Sequence, residues 1–415
     1  MKIGKYSFGI GDRFAQQGVA QLSAIKKAKD LGIDITPVWN KSFREHSIIG
    51  TSPVDTRNEA DAAVKALGWT DQYVVDADHI NLKTVESYVD TSDFFTLDVA
   101  DYIGTKADDA AISAFIENNK KYLGQLSIPG IAHSFEVTEA SLKGIAGKFL
   151  FAIQEAGKIY NYIKSKKGEG NFITEVSMDE VDEAQVPVEM FFILSMIAAE
   201  NIPAQTIAPK FTGRFNKGVD YVGDTNQFAK EFEEDLMVID FAVKEFGLPD
   251  NLKLSVHSGS DKFSIYPKMG ELIKKYNKGL HVKTAGTTWL EEMIGLAMAG
   301  GDALEMAKSI YKEAIVDVDK LCAPYATVID IDKSKLPSSQ EVDSWSGEKY
   351  ANTLRHIPGH PDYNPNFRQL IHVGYKLAAN LGEKYINMLN ANKEIVGQQV
   401  SENIFDRHIK RLFNI

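Results

Sequence analysis

The sequence contains a single cysteine, Cys322, among 415 residues, which excludes an internal disulfide bond and a zinc site made of several cysteines. It also lacks any uncharged apolar run near the ~18 residues that a membrane-spanning helix needs. The longest apolar stretch, residues 190–199, contains Ser195 and is typical of a buried helix. No apolar signal-peptide core follows Met1 and Lys2. Together these absences predict a cytoplasmic protein.

Positive charge is in the minority. Lysine and arginine number 46 against 57 aspartates and glutamates, and the net charge is −11. Such a balance argues against nucleic acid or an anionic membrane as a partner. It permits an anionic small molecule, provided that basic side chains gather locally. We therefore expect a small-molecule partner, and the sequence makes no prediction of the oligomeric state.

What the chain does contain is a recurring unit: a short β-like run, a polar or glycine-rich edge, and a helix-like stretch. Strands alternating with helices favour a parallel sheet, and eight units are the number that closes a barrel. We predict one (β/α)8 TIM barrel domain over residues 1–415, with a doubly wound open sheet as the alternative. The eight runs are residues 6–10, 35–39, 72–77, 94–99, 172–178, 204–208, 253–256 and 280–283.

Two segments depart from this alternation. Residues 107–167, after the fourth run, contain no convincing strand and predict a helical insertion. Residues 300–415 predict a mostly helical C-terminal extension packed on the barrel, including a helix over residues 369–390. Within it, residues 330–343 predict an exposed loop, because Pro337 is followed by two serines.

Ionisable residues stand at the ends of nearly all eight runs. In a barrel the chemistry lies at the carboxyl ends of the strands, because the βα loops converge there. Alternation along a strand puts Glu175, Ser177 and Asp179 on one face, and His281 and Lys283 on one face. Burying such groups without partners would be costly, so we expect a metal ion, a polar substrate or both to supply the partners.

Three histidines, His79, His257 and His281, end three different runs. Imidazole is a common ligand of zinc, manganese, cobalt and nickel, and Glu175 or Asp78 would complete such a site. Taken alone, each histidine is more often a hydrogen-bonded core or loop residue. Their shared position favours one divalent metal ion, whose identity these residue types leave open.

The remaining candidates are carboxylates and cations near the same strand ends. Glu175 lies inside a β-like run, which favours a metal-ligand or acid–base role over a structural salt bridge to Lys210 or Lys283. Lys210, Arg214 and Lys283 would bind a substrate carboxylate or phosphate, with a Schiff base at Lys283 as the alternative. The side chains that we expect to contact the substrate are Lys210, Arg214, Lys283, Asp179 and His372.

Six motifs follow one another between residues 76 and 373. They are Asp76-Ala77-Asp78-His79, Glu175-Val176-Ser177-Met178-Asp179-Glu180, Lys217-Gly218-Val219-Asp220-Tyr221, His257-Ser258-Gly259-Ser260-Asp261-Lys262-Phe263-Ser264, His281-Val282-Lys283-Thr284-Ala285-Gly286-Thr287 and Arg368-Gln369-Leu370-Ile371-His372-Val373. In this order they resemble the tagaturonate/fructuronate epimerase family, and six ordered motifs are far more specific than any one of them.

The resemblance implies a metal-dependent barrel enzyme, an isomerase that interconverts D-tagaturonate and D-fructuronate by inversion at C4 during hexuronate breakdown. It also implies that His79, His257 and His281 hold the divalent metal, while Asp78 and Glu175 transfer protons. A metal-dependent sugar-acid isomerase or an aldolase would use the same groups. A non-catalytic sugar-acid-binding protein is the third alternative.

Overall fold

The computed structural model describes residues 1–284 and 287–415, so Ala285 and Gly286 of the fifth motif lie outside the described residues. The strands are β1 (Tyr6–Ile10), β2 (Ile35–Ser42), β3 (Val74–Ile80), β4 (Phe94–Asp98), β5 (Gly124–Ser127), β6 (Ser134–Val137), β7 (Ile173–Ser177), β8 (Thr206–Ala208), β9 (Lys253–His257) and β10 (Leu280–Lys283).

Eight of these strands form a closed barrel in the order β1-β10-β9-β8-β7-β4-β3-β2. Every pairing in it is parallel, and β1 pairs with both β2 and β10. The predicted TIM barrel is therefore confirmed, and the open-sheet alternative is excluded. Each of the eight predicted runs coincides with one barrel strand, with end points that differ by a few residues.

Helices cover the outside of the barrel, and several begin or end at residues that the sequence marks. Ser42 and Glu45 form a capping box, Pro53 opens the next helix, and Gly50 and Gly68 close these helices in the left-handed conformation. The helices up to the end of the barrel are α1 (Gly18–Asp30), α2 (Phe43–Ile49), α3 (Pro53–Leu67), α4 (Asp109–Asn119), α5 (Glu139–Lys167), α6 (Pro187–Ala199), α7 (Thr225–Phe246), α8 (Tyr266–Lys275) and α9 (Thr287–Ala299).

The insertion between β4 and β7 is only partly as predicted. It contains α4 and α5, but also a two-stranded antiparallel hairpin of β5 and β6. The absence of a strand from this segment was therefore a wrong expectation. Each hairpin strand has four residues and most of them are exposed, so the sequence shows no alternating apolar pattern there.

The C-terminal extension is helical as predicted, with two differences. The expected helix over residues 369–390 is three helices, and the last break falls at Gly382, which has a φ of 53°. The predicted loop contains a short helix capped by Ser338. The extension comprises α10 (Gly301–Val316), α11 (Val318–Cys322), α12 (Ser339–Asp343), α13 (Gly347–Leu354), α14 (Pro365–Val373), α15 (Tyr375–Asn380), α16 (Glu383–Ala391), α17 (Lys393–Glu402), a π-helix (Asn403–Ile409) and α18 (Lys410–Phe413). Its treatment as part of one domain with the barrel stays a prediction.

The barrel interior changes character along its axis. Near the amino ends of the strands it holds a buried apolar cluster that includes Val38, Val74, Phe94 and Ile173. Since side chains alternate along a strand, the residues two positions later on β2, β3, β4 and β7 face the same interior. These residues are Asn40, Asp76, Thr96 and Glu175, and all are buried. A closed apolar base therefore supports a polar layer at the carboxyl end. Among the helices described, none has the length and apolar character required to cross a membrane.

Candidate active site

The polar layer is centred on the buried ammonium group of Lys283. Its Nζ lies 2.8 Å from Asp76 Oδ2, 3.0 Å from Asp78 Oδ1, 3.1 Å from Glu175 Oε1 and 2.7 Å from Thr96 Oγ1. Burial alone would lower the pKa of Lys283, but the three carboxylates raise it well above its ordinary value. An ammonium group held in this way is a poor nucleophile, which disfavours the Schiff-base alternative.

The acids around Lys283 differ in pKa. Burial would raise the pKa of Glu175, but Lys283 and then His257 hold it well below its ordinary value. Burial raises the pKa of Asp76 to about 6, against the opposing effect of Lys283. Although Glu175 is fully buried, its Oε2 has no hydrogen-bond partner within the described part of the chain. Glu175 is therefore an ionised carboxylate with one oxygen available to a ligand.

Beside this layer, the side chains of His79, Asp179 and His257 bring three ligand atoms within 4.8 Å of one another. Asp179 Oδ1 lies 3.0 Å from His257 Nδ1 and 3.5 Å from His79 Nε2. Burial alone would lower the pKa of His257, but Asp179 and then Glu175 raise it to about 9. Asp179 and Glu175 therefore stabilise positive charge at His257.

Carboxylates fix the orientation of both imidazole rings. Asp78 Oδ1 lies 2.8 Å from His79 Nδ1, and Glu175 Oε1 lies 2.8 Å from His257 Nε2. The buried Nε2 of His79 lacks a hydrogen-bond partner among the residues that the structure covers. Metal-binding histidines commonly give their second ring nitrogen to a carboxylate in this manner. Two imidazoles and one carboxylate fit a divalent ion of the zinc, manganese, cobalt or nickel type.

The backbone at His79 explains how two adjacent residues reach the same site. Neighbours on a regular strand point to opposite faces. His79 has a φ of 52°, and the pairing of β3 with β4 shifts register between Ala77 and Ile80. This left-handed conformation is strained for a residue other than glycine, and such strain is concentrated at functional sites. It allows both Asp78 and His79 to contact the site.

His281, predicted from the sequence as the third metal histidine, lies apart from the candidate metal-binding triad of His79, Asp179 and His257. It precedes Lys283 by two residues on β10 and so lies deeper in the barrel, where Ser7 Oγ is 2.9 Å from its Nδ1. Its ring lies 5.4 Å from that of Phe94, and burial lowers its pKa to about 3. In residues 1–284 and 287–415, the third atom near His79 and His257 comes from Asp179, which we had expected to bind substrate.

The other predicted substrate contacts are spread over a wider area. Arg214 is half exposed and lies 3.5 Å from Asp330 Oδ2, so it contacts the C-terminal extension. Lys210 is partly buried, and its backbone N–H donates to Gln185 Oε1 at 2.6 Å. His372 on α14 is buried, and neither of its ring nitrogens has a hydrogen-bond partner in the described residues. The structure brings Lys283 into the polar layer, but not Arg214.

Asp76 and Thr96 belong to the site, but the sequence analysis gave them no role. Thr96 Oγ1 donates to Asp76 Oδ1 at 3.0 Å or to Glu175 Oε1 at 3.1 Å, and both partners also contact Lys283. Alternation could have found Asp76, because it precedes Asp78 by two residues on the same strand. Thr96 gives a weaker signal, since threonine is common in strands for other reasons.

Comparison with known proteins gives a consistent result. The sequence model of the family described as "UxaE: tagaturonate epimerase" matches residues 1–412. A tagaturonate/fructuronate epimerase from Thermotoga maritima is 28% identical over 424 aligned residues, covering 98% of this chain and 80% of that protein. A glycerol-complexed crystal structure of the fructuronate-tagaturonate epimerase UxaE from Cohnella laeviribosi has a TM-score of 0.82 at 24% identity, covering 99% of this chain and 82% of that one. Its native crystal structure has a TM-score of 0.80 at 23% identity, with the same coverage. At these identities the two structures support the fold.

Proposed function

The chain belongs to the tagaturonate epimerase family and is a carbohydrate epimerase, and we propose that it interconverts D-tagaturonate and D-fructuronate by inversion at C4. The related protein from Thermotoga maritima is named for both sugar acids. The observation that carries the proposal is the metal-binding triad of His79, Asp179 and His257 beside the ionised, partly unpaired Glu175. We place the reaction in the cytoplasm, in hexuronate breakdown.

We assign one divalent metal ion to His79, Asp179 and His257. Its support is the unpartnered Nε2 of His79, the orientation of both rings by carboxylates, and the mixed nitrogen and oxygen donor set. An ion bound there would act as a Lewis acid on the oxygens of the sugar acid. His281, which the resemblance implied as a ligand, would then stabilise the layer below through its contact with Ser7.

The position of the ketone restricts the mechanism. It lies at C2, so the hydrogen on C4 is not adjacent to the carbonyl and its direct removal is unfavourable. A retro-aldol route avoids this difficulty. The C4 hydroxyl loses its proton, the C3–C4 bond breaks, and its electron pair passes to C3 and the C2 carbonyl as an enolate. The aldehyde formed at C4 then turns, the bond forms again on its other face, and the proton returns to the C4 oxygen.

We assign removal of the hydroxyl proton to Glu175, because its buried Oε2 is unpartnered within the described ranges and is therefore free to accept a proton. Lys283 would stabilise negative charge that develops near the polar layer. Asp78 contacts both Lys283 and His79, so it would hold these two groups in place while Glu175 exchanges the proton. The resemblance implied proton transfer by both Asp78 and Glu175. We assign the proton transfer to Glu175 and a positioning role to Asp78.

A transient shift of the ketone to C3 is the competing route, since it would make the C4 hydrogen acidic. Turnover in deuterated water distinguishes the two. The retro-aldol route leaves the hydrogen on C4 throughout, and incorporation of deuterium at C4 during turnover would contradict it.

The proposed activity is tested by incubating the purified protein with D-tagaturonate and following D-fructuronate by chromatography. We expect conversion to stop after EDTA treatment and to return with Mn²⁺ or Zn²⁺. A protein that binds metal but leaves D-tagaturonate unchanged would overturn the substrate assignment. Accumulation of free three-carbon products would instead identify an aldolase on the same barrel.

A further inference from the structure

A second group of basic side chains lies where the barrel meets the C-terminal extension. Arg13 follows β1, Arg44 lies in α2 after β2, and Lys217 lies in the loop after β8. All three therefore lie in segments that follow barrel strands on the carboxyl face, where His79, Asp179 and His257 also lie. The extension contributes Tyr325 and Tyr375, whose hydroxyl oxygens are 3.2 Å apart.

These cations differ in how the protein pairs them. Arg13 is fully engaged: it lies 3.0 Å from Glu45 Oε1, donates to the carbonyl of His372 at 3.2 Å and lies 4.0 Å from the ring centre of Tyr375. In the ranges that the structure describes, the side chains of Lys217 and Arg44 make neither a salt bridge nor a hydrogen bond. Their contact is the ring of Tyr325, at 5.8 Å from Lys217 Nζ and 5.5 Å from Arg44 Cζ.

Two cations near the same aromatic ring repel each other unless an anion lies close by. Burial is the main cause that lowers the pKa of Lys217; the negative charge of Glu180 opposes this effect, and the positive charges of Arg44 and Arg13 lower the pKa further. A ligand carboxylate would offset this repulsion and form the direct ion pairs that both side chains lack in the described residues. Lys217 and the exposed Arg44 therefore offer two cations to an anionic ligand.

The backbone next to Lys217 is anchored to the loop that follows a metal ligand. The N–H of Gly218 donates to Ser260 Oγ at 2.9 Å, and Ser260 comes three residues after His257. The carbonyl of Gly218 accepts from Arg368 Nε at 2.5 Å. Gly218 also packs against the buried His372, whose ring nitrogens have no hydrogen-bond partner in the described residues. The position of Lys217 is thus linked to that of His257.

We propose that Lys217 and Arg44 bind the carboxylate of the sugar acid while its reacting carbons lie at the metal-binding triad. This inference rests on the proposed function. Lys217 and Arg44 take the role that the sequence predicted for Arg214 and Lys283. Arg214 instead contacts Asp330, and Lys283 is held by three carboxylates of the protein.

The subsite has a consequence for the reaction. In a six-carbon acid with its ketone at C2, the carboxylate is C6, so it leaves with the aldehyde carbon C4 when the C3–C4 bond breaks. Lys217 and Arg44 would then hold the aldehyde fragment while its C4 carbonyl turns. This retention separates an epimerase from an aldolase, which releases both fragments.

The test compares Lys217→Met, Arg44→Met and a control, Lys376→Met, which removes an exposed lysine beside Tyr375. We expect kcat/KM for D-tagaturonate to fall about 10- to 150-fold in the first two variants, the range for losing a hydrogen bond to a charged group. Lys217→Arg should recover most of the loss. The inhibition constant of D-tagatose, which carries CH2OH in place of the carboxylate, should stay unchanged in every variant. Lys217→Met should also release free three-carbon products.

The outcomes separate the two proposals. Wild-type protein that fails to convert D-tagaturonate contradicts the proposed function. Wild-type conversion with unchanged kinetics in Lys217→Met and Arg44→Met overturns the carboxylate subsite alone. Equal weakening of D-tagaturonate and D-tagatose binding, or a loss of bound metal in Lys217→Met, would also overturn it, because it would show a structural role.

Discussion

Two networks of buried charge lie at the carboxyl face of the barrel. In the first, which we call the complete network, both oxygens of the central carboxylate have hydrogen-bond partners in the protein; in the second, the incomplete network, one oxygen has none within the part of the chain that the structure describes. Around Asp261, one carboxylate oxygen lies 2.8 Å from Arg368 Nη2 and 3.3 Å from His356 Nδ1. The other accepts from Thr287 Oγ1 at 3.2 Å and lies 3.4 Å from His408 Nε2, too far for a well-formed hydrogen bond. In the network of Lys283 and the His79–Asp179–His257 triad, by contrast, the buried Glu175 Oε2 has no hydrogen-bond partner in the described residues.

This difference separates a structural network from a functional one. Buried charge is tolerated when its partners are complete, and the Asp261 network joins the loop after β9 to the C-terminal extension through Arg368. An incomplete buried network carries a cost that a ligand can remove. The sequence does not separate the two, because the motif that begins with His257 also contains Asp261.

The largest expected effect comes from removing a ligand of the incomplete network. His257→Ala deletes one member of the triad and leaves Asp179 and Glu175 without their shared partner. We expect bound metal to be lost and kcat/KM to fall by about 10³-fold, the scale of losing one electrostatic stabiliser in a closed site. Metal analysis and turnover of D-tagaturonate measure both. His133→Ala, an exposed histidine in the loop of the β5–β6 hairpin, is the control and should change neither. Full metal content in His257→Ala would contradict the assignment of the metal ion to the triad.

Breaking the complete network should cost stability instead. Arg368→Leu leaves the buried Asp261 without its closest partner. We expect the free energy of unfolding to fall by about 3–5 kcal/mol, as when one member of a buried ion pair is removed. Urea denaturation measures this change. The matched control is Arg214→Leu, which breaks the exposed pair with Asp330 and should cost about 0–1 kcal/mol. An equal loss of unfolding free energy in Arg368→Leu and Arg214→Leu would contradict the distinction between a buried and an exposed ion pair.

The complete network should also respond to acid through His408. Burial lowers the pKa of His408 to about 4, so the folded protein holds it neutral. The unfolded chain protonates it below its ordinary pKa, and therefore its contribution to stability is complete above about pH 6.5 and declines as the pH falls toward 4. His408→Gln should reduce the slope of unfolding free energy between these values by at most about 1.4 kcal/mol per pH unit. Urea denaturation at several pH values measures the slope, and an unchanged slope would mean that His408 is protonated in the folded state.

Much of the barrel could be predicted from the sequence, because a short apolar run followed by a polar edge marks each strand. Alternation put His281 and Lys283 on one face, but it did not predict the salt bridge of 3.1 Å between Lys283 Nζ and Glu175 Oε1, which the sequence disfavoured. It could not separate His281 from Lys283 by depth, since both face inward and differ by one layer. It also could not predict that Asp179, beyond the end of β7, lies between two histidines from other strands. Periodicity predicts the face of the strand on which a side chain lies. The distances between side chains on different strands depend on how the sheet closes into a barrel.

The smallest expected effect tests a role that charge alone suggested. Arg214 was predicted to bind the substrate carboxylate, but it is half exposed, lies 3.5 Å from Asp330 Oδ2 and donates to the carbonyl of Ile329 at 3.3 Å. We expect Arg214→Ala to raise KM for D-tagaturonate less than about fivefold, because an exposed ion pair contributes at most about 1 kcal/mol. Steady-state kinetics of Arg214→Ala and Lys217→Met, measured side by side, compare the two KM values. A rise in KM as large as that in Lys217→Met would show that the segment around Asp330 releases Arg214 to the substrate during turnover, which would extend the incomplete network to the C-terminal extension.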